Sequence, residues 1–132
     1  MYYTTIEQSK KLLELGLKPE SADMYYEMLH GDKYPQLVRV NLTNRHWMQL
    51  CPGVMMPCWS LGALLELMPK YIYTPIKEEL GLHIFYIDGK WNLEYGYSNN
   101  SYSVLQQDKD LLNTAYNMVV WLLENGYIKK GE

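Results

Sequence analysis

The sequence predicts a single α+β domain over residues 1–132, a small antiparallel sheet built on a hairpin at Asp88-Gly89 and covered by about three helices. Three observations lead there. The stretch LHIFYIDGKWNLEYGY, Leu82–Tyr97, alternates apolar and polar on both sides of an Asp-Gly pair. Three other segments carry helix start and stop signals around apolar stripes. A length of 132 residues suits one core and is short for two.

The hairpin fixes the rest. Asp-Gly between alternating runs is a strong turn signal, because both central residues must reach positive φ. A two-residue loop pairs Ile87 with Lys90, Tyr86 with Trp91, Ile84 with Leu93, His83 with Glu94 and Leu82 with Tyr95. That register places Leu82, Ile84, Tyr86, Trp91, Leu93 and Tyr95 on one face, expected to point inward. His83, Phe85, Ile87, Lys90, Asn92 and Glu94 form the opposite, mixed face.

Upstream, Thr4 and Glu7 have capping-box spacing, predicting a helix from about Thr5 to Leu15 with Ile6, Leu12 and Leu13 sharing a face around the small Ser9. Gly16 suits a left-handed C′ position, with Leu17 folding back toward Leu12. Pro19–Asp23 reads as a helical turn. Met24–Leu29 fits a strand or a short helix equally. Gln36–Leu42 alternates as a strand, whereas the Asn, Pro and Gly of Thr43–Val54 point to irregular structure. Pro57–Pro69 is predicted as a mostly buried helix, capped by Ser60, with Trp59 stapled on Leu64. Thr74-Pro75 looks like a helix N-cap with proline at N1, opening a turn or two that Gly81 closes.

Beyond the hairpin, Ser98–Ser101 reads as a turn and Tyr102–Leu105 as a third strand. A final helix runs from near Asp108 to Asn125-Gly126, with Tyr127 folding back on Leu122. Its buried stripe is Leu111, Ala115, Met118, Val119 and Leu122, widened by Leu112 and Leu123. Asn113, Asn117 and Glu124 mark the outward side. Trp121 falls within that outward arc, which a simple helix-on-sheet picture does not explain.

Composition excludes several function classes. The net charge is −3, and Arg39 and Arg45 are the only arginines, a poor basis for neutralising phosphates. Nucleic-acid binding is therefore disfavoured. No apolar run approaches the ~18 residues of a membrane span. The start, MYYTTIEQSKK, lacks the apolar block of a signal peptide. A cytoplasmic setting is expected, with Cys51 and Cys58 as thiols.

Chemical motifs are sparse. GxSxG, GxGxxG, HExxH and the Walker loop are all missing from the sequence. Cys51 and Cys58 bound CPGVMMPC with His46 upstream, but this is not a usual zinc spacing, and His30 and His83 lie far off. A thiol nucleophile at Cys51 or Cys58, with His46 or His83 as base, is the enzymatic alternative. The competing reading is a small buried hydrophobe. No catalytic residue, cofactor or metal is assigned. Thirteen tyrosines, paired at Tyr2-Tyr3 and Tyr25-Tyr26, fit half-buried edges or a binding surface. On the last helix Asn117, Val120 and Trp121 are the candidate interaction surface, contacting another chain or another segment of this one.

The segments GLKPESADMYYEM, PCWSLGALLELMP and MVVWLLENGYI resemble those of small uncharacterised proteins carried by gut Bacteroidales and their phages or prophages. The resemblance covers most of the chain after Thr5 in scattered blocks. It implies an origin in mobile-element or phage-related genes and brings no activity to carry over. The leading expectation is a non-enzymatic interaction or accessory protein, with a protein partner and a homo-oligomer both open. The alternatives are a small enzyme using Cys51, Cys58 or His46, and a nucleic-acid-associated accessory protein.

Overall fold

The computed structural model describes residues 2–27, 36–39, 55–96 and 103–130. Among them lie helices α1 (Ile6–Glu14), α2 (Leu61–Leu67) and α3 (Leu111–Glu124), together with a 3-10 turn at Pro19–Ser21. The strands are β1 (Met24–Glu27), β2 (Gln36–Arg39), β3 (Met55–Cys58), β4 (Tyr71–Tyr73), β5 (Glu79–Ile87), β6 (Lys90–Gly96) and β7 (Ser103–Asp108). They form two antiparallel sheets, ordered β2-β1-β3 and β4-β5-β6-β7. The architecture is α+β, with a second sheet that the single-sheet expectation lacked.

The hairpin has the expected register, from Ile87↔Lys90 to Leu82↔Tyr95. Asp88 and Gly89 take φ of 52° and 75°, as a type I′ turn demands. The inner face is sealed only toward its base. Leu80, Leu93 and Tyr95 are fully buried, but Ile84 and Tyr86 near the turn are exposed. Trp91, half-buried, meets Tyr86 edge-on at 5.2 Å. The hairpin is longer than the core beneath it.

α1 begins one residue later than its capping-box reading. Thr5, not Thr4, is the N-cap: its hydroxyl accepts from Gln8 N–H, and Gln8 Oε1 accepts from Thr5 N–H. Thr4 is turned inward to hold Trp59, donating its N–H to the Trp59 carbonyl (2.9 Å) and accepting the Trp59 N–H at its hydroxyl (3.0 Å). The helix ends as expected. Gly16 is left-handed, and Leu17 N–H reaches the Leu12 carbonyl.

Within the ambiguous Met24–Leu29 segment, Met24–Glu27 is a strand, and Met28 and Leu29 lie outside the described residues. Pro57 and Cys58 belong to β3 rather than to a helix, and α2 starts after Ser60, whose hydroxyl accepts from Ala63 N–H. Thr74-Pro75 opens no helix. Thr74 forms a tight loop between β4 and β5: its N–H donates to the Glu78 carbonyl and its hydroxyl accepts from Glu78 N–H. Gly81 is therefore a strand residue, opposite Tyr71, and not a helix end. The expected third strand is displaced to Ser103–Asp108, and α3 starts after Asp110 because Asp108 still pairs with Trp91. Val40–Leu42, the Thr43–Val54 segment and the Ser98–Ser101 turn lie outside the described residues.

One apolar cluster joins these parts. Leu12 of α1, Trp59, Leu64 of α2, Leu80 and Leu93 of the larger sheet and Leu112, Met118 and Leu122 of α3 are all fully buried in it. On α3, Leu111, expected in the buried stripe, is only half-buried, and Thr114 is fully buried. The Thr114 hydroxyl is satisfied by the Asp110 carbonyl at 2.9 Å. α1 meets α3 through Gln8, whose amide donates to Asn113 Oδ1 (3.0 Å). All the described helical burial is on one side of the larger sheet.

Candidate functional site

Of the residues a thiol enzyme would use, Cys51 and His46 lie outside the described residues, and His83 stands exposed across from Glu94 on the larger sheet. Cys58 is fully buried. Its Sγ donates to the Thr4 carbonyl (3.3 Å), which also accepts from the Tyr26 hydroxyl (2.8 Å). Burial pushes the Cys58 thiol up to about 11, outweighing the hydrogen bonds from Thr4 and Tyr26 that favour the thiolate. Burial also raises Tyr26. A neutral, sealed thiol is the opposite of what a nucleophile or metal ligand needs. Among the described residues no group of three or more His, Cys, Asp or Glu side chains is placed to hold a metal.

An open cleft of about 600 Å³ lies between the Pro19–Ser21 turn and α2, lined by Glu20, Ser21, Asp23, Gly62, Ala63 and Glu66 among others. Two of its polar groups have structural work. Asp23 Oδ1 accepts from Ser60 N–H, and Oδ2 from the Ser60 hydroxyl, so the carboxylate fastens the start of α2. Ser21 accepts from Trp59 Nε1–H and donates to the Lys18 carbonyl. No described base stands beside that hydroxyl to activate it.

The α3 candidates Asn117, Val120 and Trp121 are all half-buried. Trp121 stacks on Tyr127 with rings 5.5 Å apart and 13° from parallel. The stack follows from the helix ending: Gly126 is left-handed, and Tyr127 N–H bonds the Leu122 carbonyl, folding the chain back across the helix. The outward position of Trp121 thus has a partner within the chain. The Asn125-Gly126 ending carried the signal.

The largest feature that sequence reasoning passed over is the outer face of the β4–β7 sheet. Alternation that buries Ile72, Leu80, Leu93 and Tyr95 turns Tyr71, Tyr73, Phe85, Ile87 and Leu105 the other way. Their exposures are 56%, 60%, 39%, 53% and 41%, too high for a covered face. Tyr71 lies across Gly81, where a Cβ would come within 3.5 Å of its ring. Beneath the patch Asn92 is buried and ties three strands together. Its Nδ2 donates to the Lys90 carbonyl and, more weakly, to that of Phe85, and its Oδ1 accepts from Gln107 Nε2 at 2.7 Å. The Tyr-Ile-Tyr alternation at 71–73 was the available clue.

Comparisons with protein-family models, with curated proteins and with solved structures gave no match. Among the described residues no helix is long and apolar enough to cross a membrane.

Proposed function

We propose that this protein acts by binding another protein, which rests on the outer face of the β4–β7 sheet. The carrying observation is the cluster of Tyr71, Tyr73, Phe85, Ile87 and Leu105, all on one face and all exposed. Scattered apolar side chains are ordinary on a surface. Here Tyr71 adjoins Tyr73 and Phe85 adjoins Ile87 on one sheet face, with His83 and Glu94 between the two pairs. Apolar groups set in a polar surround in this way support a binding surface. Two tyrosines and a phenylalanine suit such a role, because aromatic rings give large contact area for little lost rotamer freedom. The Asn92 clamp beneath keeps the platform rigid. The resemblance to small proteins of gut Bacteroidales and their phages supports an accessory role in a mobile element. The Asn117–Trp121 arc of α3 is the second surface in this proposal, its share reduced because Tyr127 already engages the Trp121 ring.

The experiment is site-specific photocrosslinking in cells. A photoreactive residue at Tyr73 captures one discrete partner, while one at Lys10, exposed on α1, does not. Phe85→Glu lowers the capture from position 73 at least tenfold. Equal cross-linking from both positions, or capture indifferent to Phe85→Glu, overturns the reading.

A further inference from the structure

We propose that two copies of this chain pair edge to edge through β5, joining their four-stranded sheets into one. The inference goes beyond the partner-binding reading and does not depend on it. It starts from the backbone. β4 pairs only with Glu79–Gly81, and Leu82 N–H donates to the Lys70 carbonyl where β4 begins. Backbone groups along a strand point alternately to either side, so Ile84 and Tyr86 aim N–H and C=O the same way as Leu82. Among the described residues no strand lies beside them. β5 is therefore, among the described residues, an open edge from His83 to Ile87.

Natural edges are guarded by lysines, prolines, bulges or short length. This edge has none of these. Leu82–Ile87 contains no acid, lysine, arginine or proline, and its pairing with β6 is unbroken. Ile84, Phe85, Tyr86 and Ile87 are 45%, 39%, 59% and 53% exposed, so both faces of the edge are apolar. A strand from another protein would need its own matching sequence. A second copy supplies it by symmetry.

With Phe85 on a two-fold axis, Ile84 of each copy lies opposite Tyr86 of the other. Their outward N–H and C=O groups then exchange hydrogen bonds twice over. Each Phe85 meets its counterpart as a non-hydrogen-bonded pair, where side chains approach most closely. No like charges meet along the ribbon.

The area sets the strength. Four half-exposed side chains per copy, at ~150–250 Å² for a large aromatic one, remove on the order of 800 Å² in total. Stable interfaces bury roughly 1,200–2,000 Å². The dimer is therefore a weak one, in reversible exchange with the single chain.

Sedimentation velocity on the full chain between 5 and 500 µM tests this. The expected result is a rise from one to two chain masses across that range. Tyr86→Lys abolishes the rise while leaving the far-UV circular dichroism unchanged, and Ile84→Lys does the same should the first variant fold poorly. In a Cys51→Ser background, oxidised Phe85→Cys cross-links between copies, and the more accessible Tyr73→Cys does not. A chain that stays monomeric at 500 µM overturns the proposal, as does a dimer indifferent to both lysine variants or faster cross-linking at position 73. Photocrosslinking from Tyr73 in the Tyr86→Lys variant reports partner binding separately, so either idea can fail alone.

Discussion

Thr4 and Thr5 are neighbours with the same side chain and different physical roles. Thr5 caps α1 from a half-exposed position, so Thr5→Ala should cost about 1 kcal/mol. Thr4 is buried, and its hydroxyl accepts the Trp59 N–H within reach of Ser9 Oγ. Thr4→Val keeps the shape and removes the acceptor, stranding a buried donor at about 1–3 kcal/mol. Urea denaturation of the two variants should rank Thr4→Val as the more damaging, and the reverse order would show that Thr4 is not the tether. Cys58 makes a pH-dependent prediction. Its thiol rises from an ordinary value of 9.0 to about 11, so between those limits the folded chain keeps a proton that the unfolded chain has lost. The associated stability is fully present below about pH 9 and is lost as pH rises to 11, at most about 1.4 kcal/mol per pH unit. Tyr26 and Tyr95, both raised by burial from an ordinary value of 10.0, add to the fall from about pH 10 and continue it above that window. Denaturation at pH 8, 9.5 and 10.5 should show a shallower decline for Cys58→Ala than for the natural chain. Equal slopes would remove Cys58 as the cause.

At the scale of elements, two helix endings invite a matched comparison. Gly16 and Gly126 sit at left-handed C′ positions with φ of 95° and 78°. A Cβ at Gly126 meets open space, so Gly126→Ala should cost about 1 kcal/mol from backbone strain alone. At Gly16 the same Cβ lies 3.1 Å from Lys130 Cβ, so Gly16→Ala must also displace the C-terminal segment. Gly16→Ala should therefore lower the melting temperature further, and equal losses would mean that Lys130 yields freely. Both endings were legible in the sequence, because glycine followed by an apolar residue has one dominant use after a helix. The Asp88-Gly89 register was legible for a similar reason: local turn chemistry and long alternation agreed. Legibility failed where one local signal served two structures. Thr74-Pro75 with Gly81 resembles a capped helix, yet Thr74 caps a strand–strand loop and Gly81 makes room for Tyr71. Pro57 looked like the entry to a helix, but it pairs with Tyr25 in β3, a strand too short for alternation to declare itself. The outer-face patch was hidden because it is spread over β4, β5 and β7, which only the pairing brings together.

For the molecule as a whole, the two sheets are unequally tied to the core. The principal apolar cluster joins α1, α2, α3 and the β4–β7 sheet, and Tyr25 of β1 is buried outside it. The smaller sheet reaches that cluster only through residues flanking its strands, Trp59 after β3 and Ala22 before β1, and is otherwise held at the Thr4 region, where Tyr26 and Cys58 hydrogen-bond one carbonyl. Hydrogen bonds of this kind contribute about 1 kcal/mol each, far less than the burial of Leu93, Tyr95, Met118 and Leu122 in the main cluster. Local opening follows the weakest connection, so the smaller sheet should separate before the core does. Native-state hydrogen exchange in low denaturant resolves this. Amides of Leu93, Tyr95, Met118 and Val119 should exchange only by global unfolding, with the full denaturant dependence. Paired amides of β1 should exchange through a smaller opening at lower free energy, and Thr4→Val should lower that energy while moving the global value less. Convergence of both sets on one free energy would make the chain a single cooperative unit. The partner platform and the β5 edge belong to the more stable part. Both should therefore remain formed through openings that release the smaller sheet, and exchange protection at Phe85 and Asn92 should match that of Leu93.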